Sequence, residues 1–214
     1  MKKAFEDSFM TLVKICGITT LEDAWCAVDA GAGALGFNFY KQSPRYIDPE
    51  SARKIIDQLP KRILTVGVFV NEESEQVKSA ATEAGVVALQ LHGDESAEYC
   101  AELRDWYVIK VFCVGEDFDP SVVVDYPVKA VMIDARHKTL RGGTGLLSDW
   151  SVARRIRELG KPLFLAGGLS PGNVREAITV VKPYAVDACS ALEEHPGKKN
   201  QGRVAEFVRA VNEG

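Results

Sequence analysis

Short apolar runs alternate along the chain with longer segments whose apolar positions recur every three to four residues. The runs are Leu12–Cys16, Ala34–Phe39, Leu64–Val70, Val86–Leu91, Tyr107–Phe112, Ala130–Asp134, Leu163–Ala166 and Tyr184–Ala188. They are almost continuously apolar. That pattern predicts strands of a parallel sheet buried on both faces. Helix starts are expected between them. "TTLE" reads as a capping box from Thr19 to Glu22. "DPES" places Asp48 at an N-cap and Pro49 in the first turn, and "SPGN" repeats the device with Ser170 and Pro171. Asn71 leads into a helix that stops at Gly85. A fifth helix is expected near Pro120–Tyr126 and a sixth near Ser148.

Eight strands, each followed by a helix, predict an α/β chain folded as a single (β/α)8 TIM barrel. The barrel is assigned to residues 11–214, with residues 1–10 as an N-terminal extension. No low-complexity linker divides the chain. A doubly wound open sheet is the alternative. Such a sheet would more often carry a G-x-G-x-x-G turn after its first strand, and none stands there. The length of 214 residues suits one barrel.

Charge and cysteine usage narrow the partners. A net charge of −4 argues against nucleic acid or an anionic membrane. It leaves room for a phosphorylated small molecule, because backbone amides bind phosphate without net basic charge. Five cysteines make an odd number with no C-x-x-C pair, and the histidines 92, 137 and 195 are far apart. Neither a disulfide framework nor a metal site is expected. The N-terminus has no apolar signal region and no apolar run is long enough to span a bilayer, so the chain reads as cytoplasmic. The oligomeric state, monomer or homodimer, stays open.

In a barrel, chemistry sits where strands end. The first strand ends in Cys16. Lys14, two residues earlier, shares its face. A buried ammonium needs a counter-ion, and Asp187 on the adjoining eighth strand is the candidate. A nearby positive charge favours thiolate, although a plain buried cysteine is the simpler reading. The sixth strand ends in Asp134, directly after four apolar residues. Partial desolvation there is expected to raise its pKa and suit it to acid catalysis. "GGTG", Gly142–Gly145, follows in the same loop, where glycines allow a ligand to come close.

Gly167 and Gly168 after the seventh strand, and a helical turn from Ser190 after the eighth, are expected to turn amides toward a phosphate. Arg45 lies in a loop stiffened by Pro44 and closed by Asp48, and its guanidinium suits a carboxylate. His92 ends the fourth strand and is placed among the substrate contacts without a chemical role. Unaided, the residues describe a metal-free barrel for a phosphosugar-like anion, with one thiol base and one carboxyl acid.

The segments "KICGIT", "GFNFYKQSPRYI", "VGVFVN", "LQLHGDE", "AGGLSPGNV" and "VDACSALEEHPGKK" resemble those of phosphoribosylanthranilate isomerases, in order from about Val13 to the C-terminus. The resemblance implies an Amadori rearrangement of N-(5-phosphoribosyl)anthranilate in tryptophan biosynthesis. By carry-over, Cys16 is the general base at ribose C2, Asp134 the general acid at the furanose oxygen, and Arg45 the partner of the anthranilate carboxylate. Gly167, Gly168, Cys189 and Ser190 fall in the phosphate turns. No cofactor is implied, since the substrate nitrogen is the electron sink. The chain departs from the family at "ACSALE", where relatives usually read "VSSGVE". Cys189 then replaces a serine and Ala191 a glycine. The rival readings are another phosphosugar isomerase or epimerase and a non-catalytic phosphosugar-binding barrel.

Overall fold

The structure, a computed structural model, describes residues 11–114, 118–134 and 145–213. Eight parallel strands close into a barrel in sequence order. They are β1 Leu12–Cys16, β2 Ala34–Asn38, β3 Leu64–Phe69, β4 Ala88–Leu91, β5 Tyr107–Cys113, β6 Ala130–Asp134, β7 Leu163–Ala166 and β8 Ala185–Ala188. β8 pairs back onto β1. The expected strands are present with ends shifted by one or two residues.

The helices are α1 Leu21–Ala30, α2 Pro49–Ile56, α3 Ser74–Ala84, α4 Ala97–Glu102, α5 Gly145–Glu158, α6 Val174–Val181 and α7 Gln201–Asn212. After β8 come a short 3₁₀ turn at Ser190–Leu192 and a small antiparallel pair, β9 Glu193–His195 and β10 Lys198–Lys199. Asp48 caps α2 through Ser51 N, and Gly85 ends α3 in the left-handed region, as the sequence predicts.

Four local expectations need correction. The α1 cap is Thr20, whose hydroxyl accepts from Asp23 N; Thr19 instead donates to Gly197 O. Adjacent threonines offer the same hydroxyl, and the handover from β1 decides which one reaches the helix amide. α6 starts at Val174 rather than Pro171, because Asn173 Oδ1 captures Ser170 N at 2.8 Å and holds residues 170–173 as a turn. The fifth helix is a 3₁₀ segment, Pro120–Asp125, capped by Asp119. Its run of three valines is poorly suited to an α-helix. α5 begins at Gly145, three residues before Ser148.

Two apolar layers follow from strand alternation. Val66, Ala88, Ile109, Val111, Ala130, Met132, Phe164 and Ala185 fill the barrel interior. Val13, Ile15, Leu35, Phe37, Val131, Ile133 and Val186 face outward and pack in the layer shared with the helices. Closing the sheet leaves no unpaired edge, and the interior is a packed core rather than a channel.

Candidate active site

The same alternation that fills the barrel sets its mouth. Side chains two apart share a face. Ala130 and Met132 point inward on β6, so Asp134 points inward above them. Ala88 does so on β4, followed by Gln90 and then His92. Ala185 does so on β8, followed by Asp187 and Cys189. Lys14 and Cys16 occupy the matching face of β1. Eight of the residues singled out in the sequence line one cavity at the C-terminal mouth. They are Cys16, Arg45, His92, Asp134, Gly167, Gly168, Cys189 and Ser190.

Cys16 is buried, and Lys14 beneath it is fully so. Lys14 Nζ lies 2.7 Å from Asp187 Oδ1, as adjacency of the first and eighth strands predicts. Burial works against the lysine's charge. Asp187 and then Cys16 more than restore it, so the ammonium persists. A Cβ at Gly36 would stand 2.8 Å from Cys16 Sγ and 3.1 Å from Lys14 Nζ, so both heads crowd the same point of β2. The Cys16 thiol is pushed well below its ordinary range. The neighbouring Cys189 thiol contributes most; burial opposes, and the Lys14 charge adds to the lowering. Cys189 moves upward, through the Cys16 contact first and burial second. A thiolate at Cys16 beside a protonated Cys189, whose Sγ lies 3.7 Å from Glu193 Oε1, is the favoured arrangement.

Across the mouth, His92 Nε2 lies 3.5 Å from Asp134 Oδ2. The loop that follows His92 is pinned from behind. Lys110 Nζ donates to Gly93 O at 2.7 Å and to Glu95 Oε2 at 2.9 Å, while Glu95 accepts from Gly93 N and Asn71 N.

Arg45 is partly covered. It gives Nε to Glu193 Oε1 at 2.8 Å and Nη2 to Glu193 Oε2 at 2.7 Å. Lys199 Nζ holds the same carboxylate at 2.9 Å. Burial alone would lift Glu193, yet its hydrogen bonds to Arg45 and Lys199 bring it down to about 2. The clamp occupies one edge of the guanidinium and leaves Nη1 for another acceptor. Asn38 and Ser43 shape the loop, with Asn38 Nδ2 donating to Ser43 Oγ and Ser43 Oγ accepting from Arg45 N. Gly17 makes room for this arginine. Its φ is +77°, and a Cβ there would lie 2.8 Å from Arg45 Cδ.

Gly167 and Gly168 turn through φ of 89° and 73° directly after β7. Ser190 opens the 3₁₀ turn after β8. The first amides of a helical turn lack intrahelical partners, so both loops offer donors at the mouth. Among the described residues only Asn71 and Lys182 have positive φ without being glycine. Ala191 therefore needs no glycine conformation. Residues 142–144 of "GGTG" lie outside the described residues, and Gly145 opens α5.

Glu193, Lys199, Asn38 and Gln90 were not assigned from the sequence. Gln90 had a readable signal, as a polar residue inside an otherwise apolar strand. Glu193 and Lys199 had none, because Glu193, which Lys199 also holds, meets Arg45 across 148 positions.

Among the described residues, no group of three or more His, Cys, Asp or Glu is placed to hold a metal ion, and no helix is long and apolar enough to cross a membrane. A closed barrel whose polar and titratable groups gather at its C-terminal mouth defines the class, a (β/α)8-barrel enzyme. A sequence profile described as N-(5'phosphoribosyl)anthranilate (PRA) isomerase matches residues 13–210. The N-(5'-phosphoribosyl)anthranilate isomerase of Geobacter sulfurreducens is 48% identical over 200 residues, covering 94% of this chain and 98% of that protein. The one from Thermotoga neapolitana is 46% identical over 201 residues, with 94% and 98% covered. The solved phosphoribosyl anthranilate isomerase of Thermotoga maritima superposes with a TM-score of 0.87 at 41% identity, over 96% of this chain and 100% of that one. A phosphoribosyl anthranilate isomerase solved with reduced 1-(o-carboxyphenylamino)-1-deoxyribulose 5-phosphate gives 0.85, with the same identity and coverage. The chain belongs to the N-(5'-phosphoribosyl)anthranilate isomerase family. It is an isomerase of the aldose–ketose type, acting in tryptophan biosynthesis.

Proposed function

We propose that the mouth cavity rearranges N-(5-phosphoribosyl)anthranilate to 1-(2-carboxyphenylamino)-1-deoxyribulose 5-phosphate with Cys16 as base and Asp134 as acid. The observation that carries this assignment is the shared cavity, which has a thiol backed by a buried ammonium on β1 and a carboxyl on β6.

Asp134 gives a proton to the furanose ring oxygen. The C1–O bond opens, its electron pair goes to that oxygen, and the nitrogen lone pair forms a C1–N iminium. The Cys16 thiolate then takes the proton from C2. Those electrons form the C1–C2 double bond, and the iminium pair returns to nitrogen. Tautomerisation, with a proton gained at C1 and one lost from the C2 hydroxyl, gives the ketone. The substrate nitrogen is the electron sink throughout, so the steps balance without an added group.

Arg45 takes the anthranilate carboxylate on the guanidinium edge that Glu193 leaves open. The turns at Gly167–Gly168 and Cys189–Ser190 take the phosphate through main-chain amides. Their lack of a basic side chain suits a chain of net charge −4. The five cysteines are all free, in keeping with a cytoplasmic enzyme.

The test is turnover. Anthranilate fluorescence is followed as purified protein is added to freshly made phosphoribosylanthranilate. Enzyme-dependent consumption is expected. Loss of substrate no faster than its spontaneous decay overturns the assignment.

A further inference from the structure

Two side chains at the mouth have no part in the steps above. Gln90, on β4, is 2% exposed, and its Oε1 is the one buried side-chain oxygen or nitrogen among the described residues without a hydrogen-bond partner. Its amide nitrogen sits 3.2 Å from His92 Nδ1. The other ring nitrogen, Nε2, faces Asp134 Oδ2 at 3.5 Å. Amide, imidazole and carboxyl therefore stand in line from β4 to β6, and all three residues line the cavity.

An isolated carboxyl ionises near pH 4 and has no proton to give at neutrality. The acid role assigned to Asp134 needs a neighbour that keeps a proton at hand. We propose that His92 is that neighbour: its Nε2 and the Asp134 carboxylate share one proton, and Gln90 holds the ring by turning its amide oxygen toward Nδ1–H. The proposal rests on the acid–base reading above.

The amide suits this task because it can meet Nδ1 in both states. When the ring is an imidazolium, Nδ1–H donates to the amide oxygen. Nδ1 keeps its proton when Nε2 gives one up, so the neutral ring still donates Nδ1–H to the amide oxygen. The other titratable groups around His92 are Cys113 at the end of β5 and Cys16 on β1. Burial pulls His92 down, but hydrogen bonds to Asp134 and Cys113 and the Asp134 charge outweigh it and bring His92 up to about 9. At neutral pH the pair then rests as imidazolium and carboxylate. As the sugar ring opens, the Nε2–H bond breaks, the proton passes to the carboxylate, and the carboxyl delivers it to the ring oxygen. The pair ends one unit more negative, as neutral imidazole and carboxylate. His92 acts through Asp134 and is a positioning residue.

The experiment is a 15N-histidine titration of the whole protein by NMR, with His92 assigned by its loss in His92→Gln. Both ring nitrogens of His92 are expected to stay protonated at pH 7.5 and to titrate near 9. In Asp134→Asn the midpoint is expected to fall by at least one pH unit, and in Gln90→Met it is expected to fall as well. A neutral His92 ring at pH 7.5 in the wild-type protein, or a midpoint unmoved in Asp134→Asn, overturns the proposal. Kinetics give a second arm. His92→Gln is expected to lower kcat on the order of 10-fold to 100-fold with KM within about threefold, the range for impaired proton transfer. Its alkaline limb should move to lower pH. An unchanged limb and kcat contradict proton sharing. The NMR arm needs no turnover, so an inactive wild type with the expected titration removes the reaction assignment and leaves the shared proton standing.

Discussion

Lys14 and Asp187 stand opposite one another where β8 meets β1, and the ammonium lies 2.7 Å from the carboxylate beneath the Cys16 thiol. The ion pair has two consequences. It makes a buried charge tolerable, and it keeps a positive charge under the thiol.

Lys14→Met separates these consequences. It leaves Asp187 buried without its partner, at a cost of about 3–5 kcal/mol in unfolding free energy. It also removes a charge that favours thiolate. The rate of alkylation against pH should shift to higher pH for Cys16, and denaturant unfolding should show the stability loss. An unmoved alkylation profile in a folded variant rejects the coupling.

The neighbouring Cys189 thiol is the largest influence lowering the Cys16 pKa. A serine keeps a donor at that position and an alanine does not. Cys189→Ser should therefore retain the low thiol pKa, while Cys189→Ala should raise it. The same alkylation profiles decide. Equal profiles for the two variants would show that the contact does not set the thiol pKa.

Glu193 fixes the guanidinium of Arg45. Glu193→Gln weakens charge-assisted bonds worth about 1.5–3 kcal/mol. If that energy serves to orient Arg45 for a carboxylate, KM should rise roughly 10-fold to 100-fold with kcat less affected. A change confined to kcat would place Glu193 in the chemistry instead.

Glu193 also makes an acid-stability prediction. Its folded pKa is depressed to about 2 from an ordinary value near 4.5. A depressed carboxylate contributes stability that is present above the unfolded pKa and is lost as pH falls through the folded one. The wild type should thus lose stability between about pH 4.5 and 2 more steeply than Glu193→Gln. Parallel curves in urea unfolding across that window would refute the assignment.

The fold was legible because period-two burial and strand-end chemistry are written locally. "LVKIC" shows Lys14 and Cys16 on one face, and the eighth strand's place beside the first supplies Asp187. What was not legible depends on distant or competing partners. Thr19 and Thr20 carry the same hydroxyl, and only the path of the chain selects the cap. Asn173 takes an amide and delays α6. Glu193 meets Arg45 across 148 positions, with no pattern in either segment to announce it. His92 was placed in the pocket by its strand end. Its pairing with Asp134 needed the barrel's curvature to bring β4 and β6 together at the mouth.

The most direct test of the thiol base is the turnover of Cys16→Ser on phosphoribosylanthranilate beside the wild type. A serine hydroxyl keeps the size of the group and loses its acidity. The account predicts a kcat lower by a factor on the order of 10²–10⁴, with the fold intact by circular dichroism. Near wild-type turnover would contradict it.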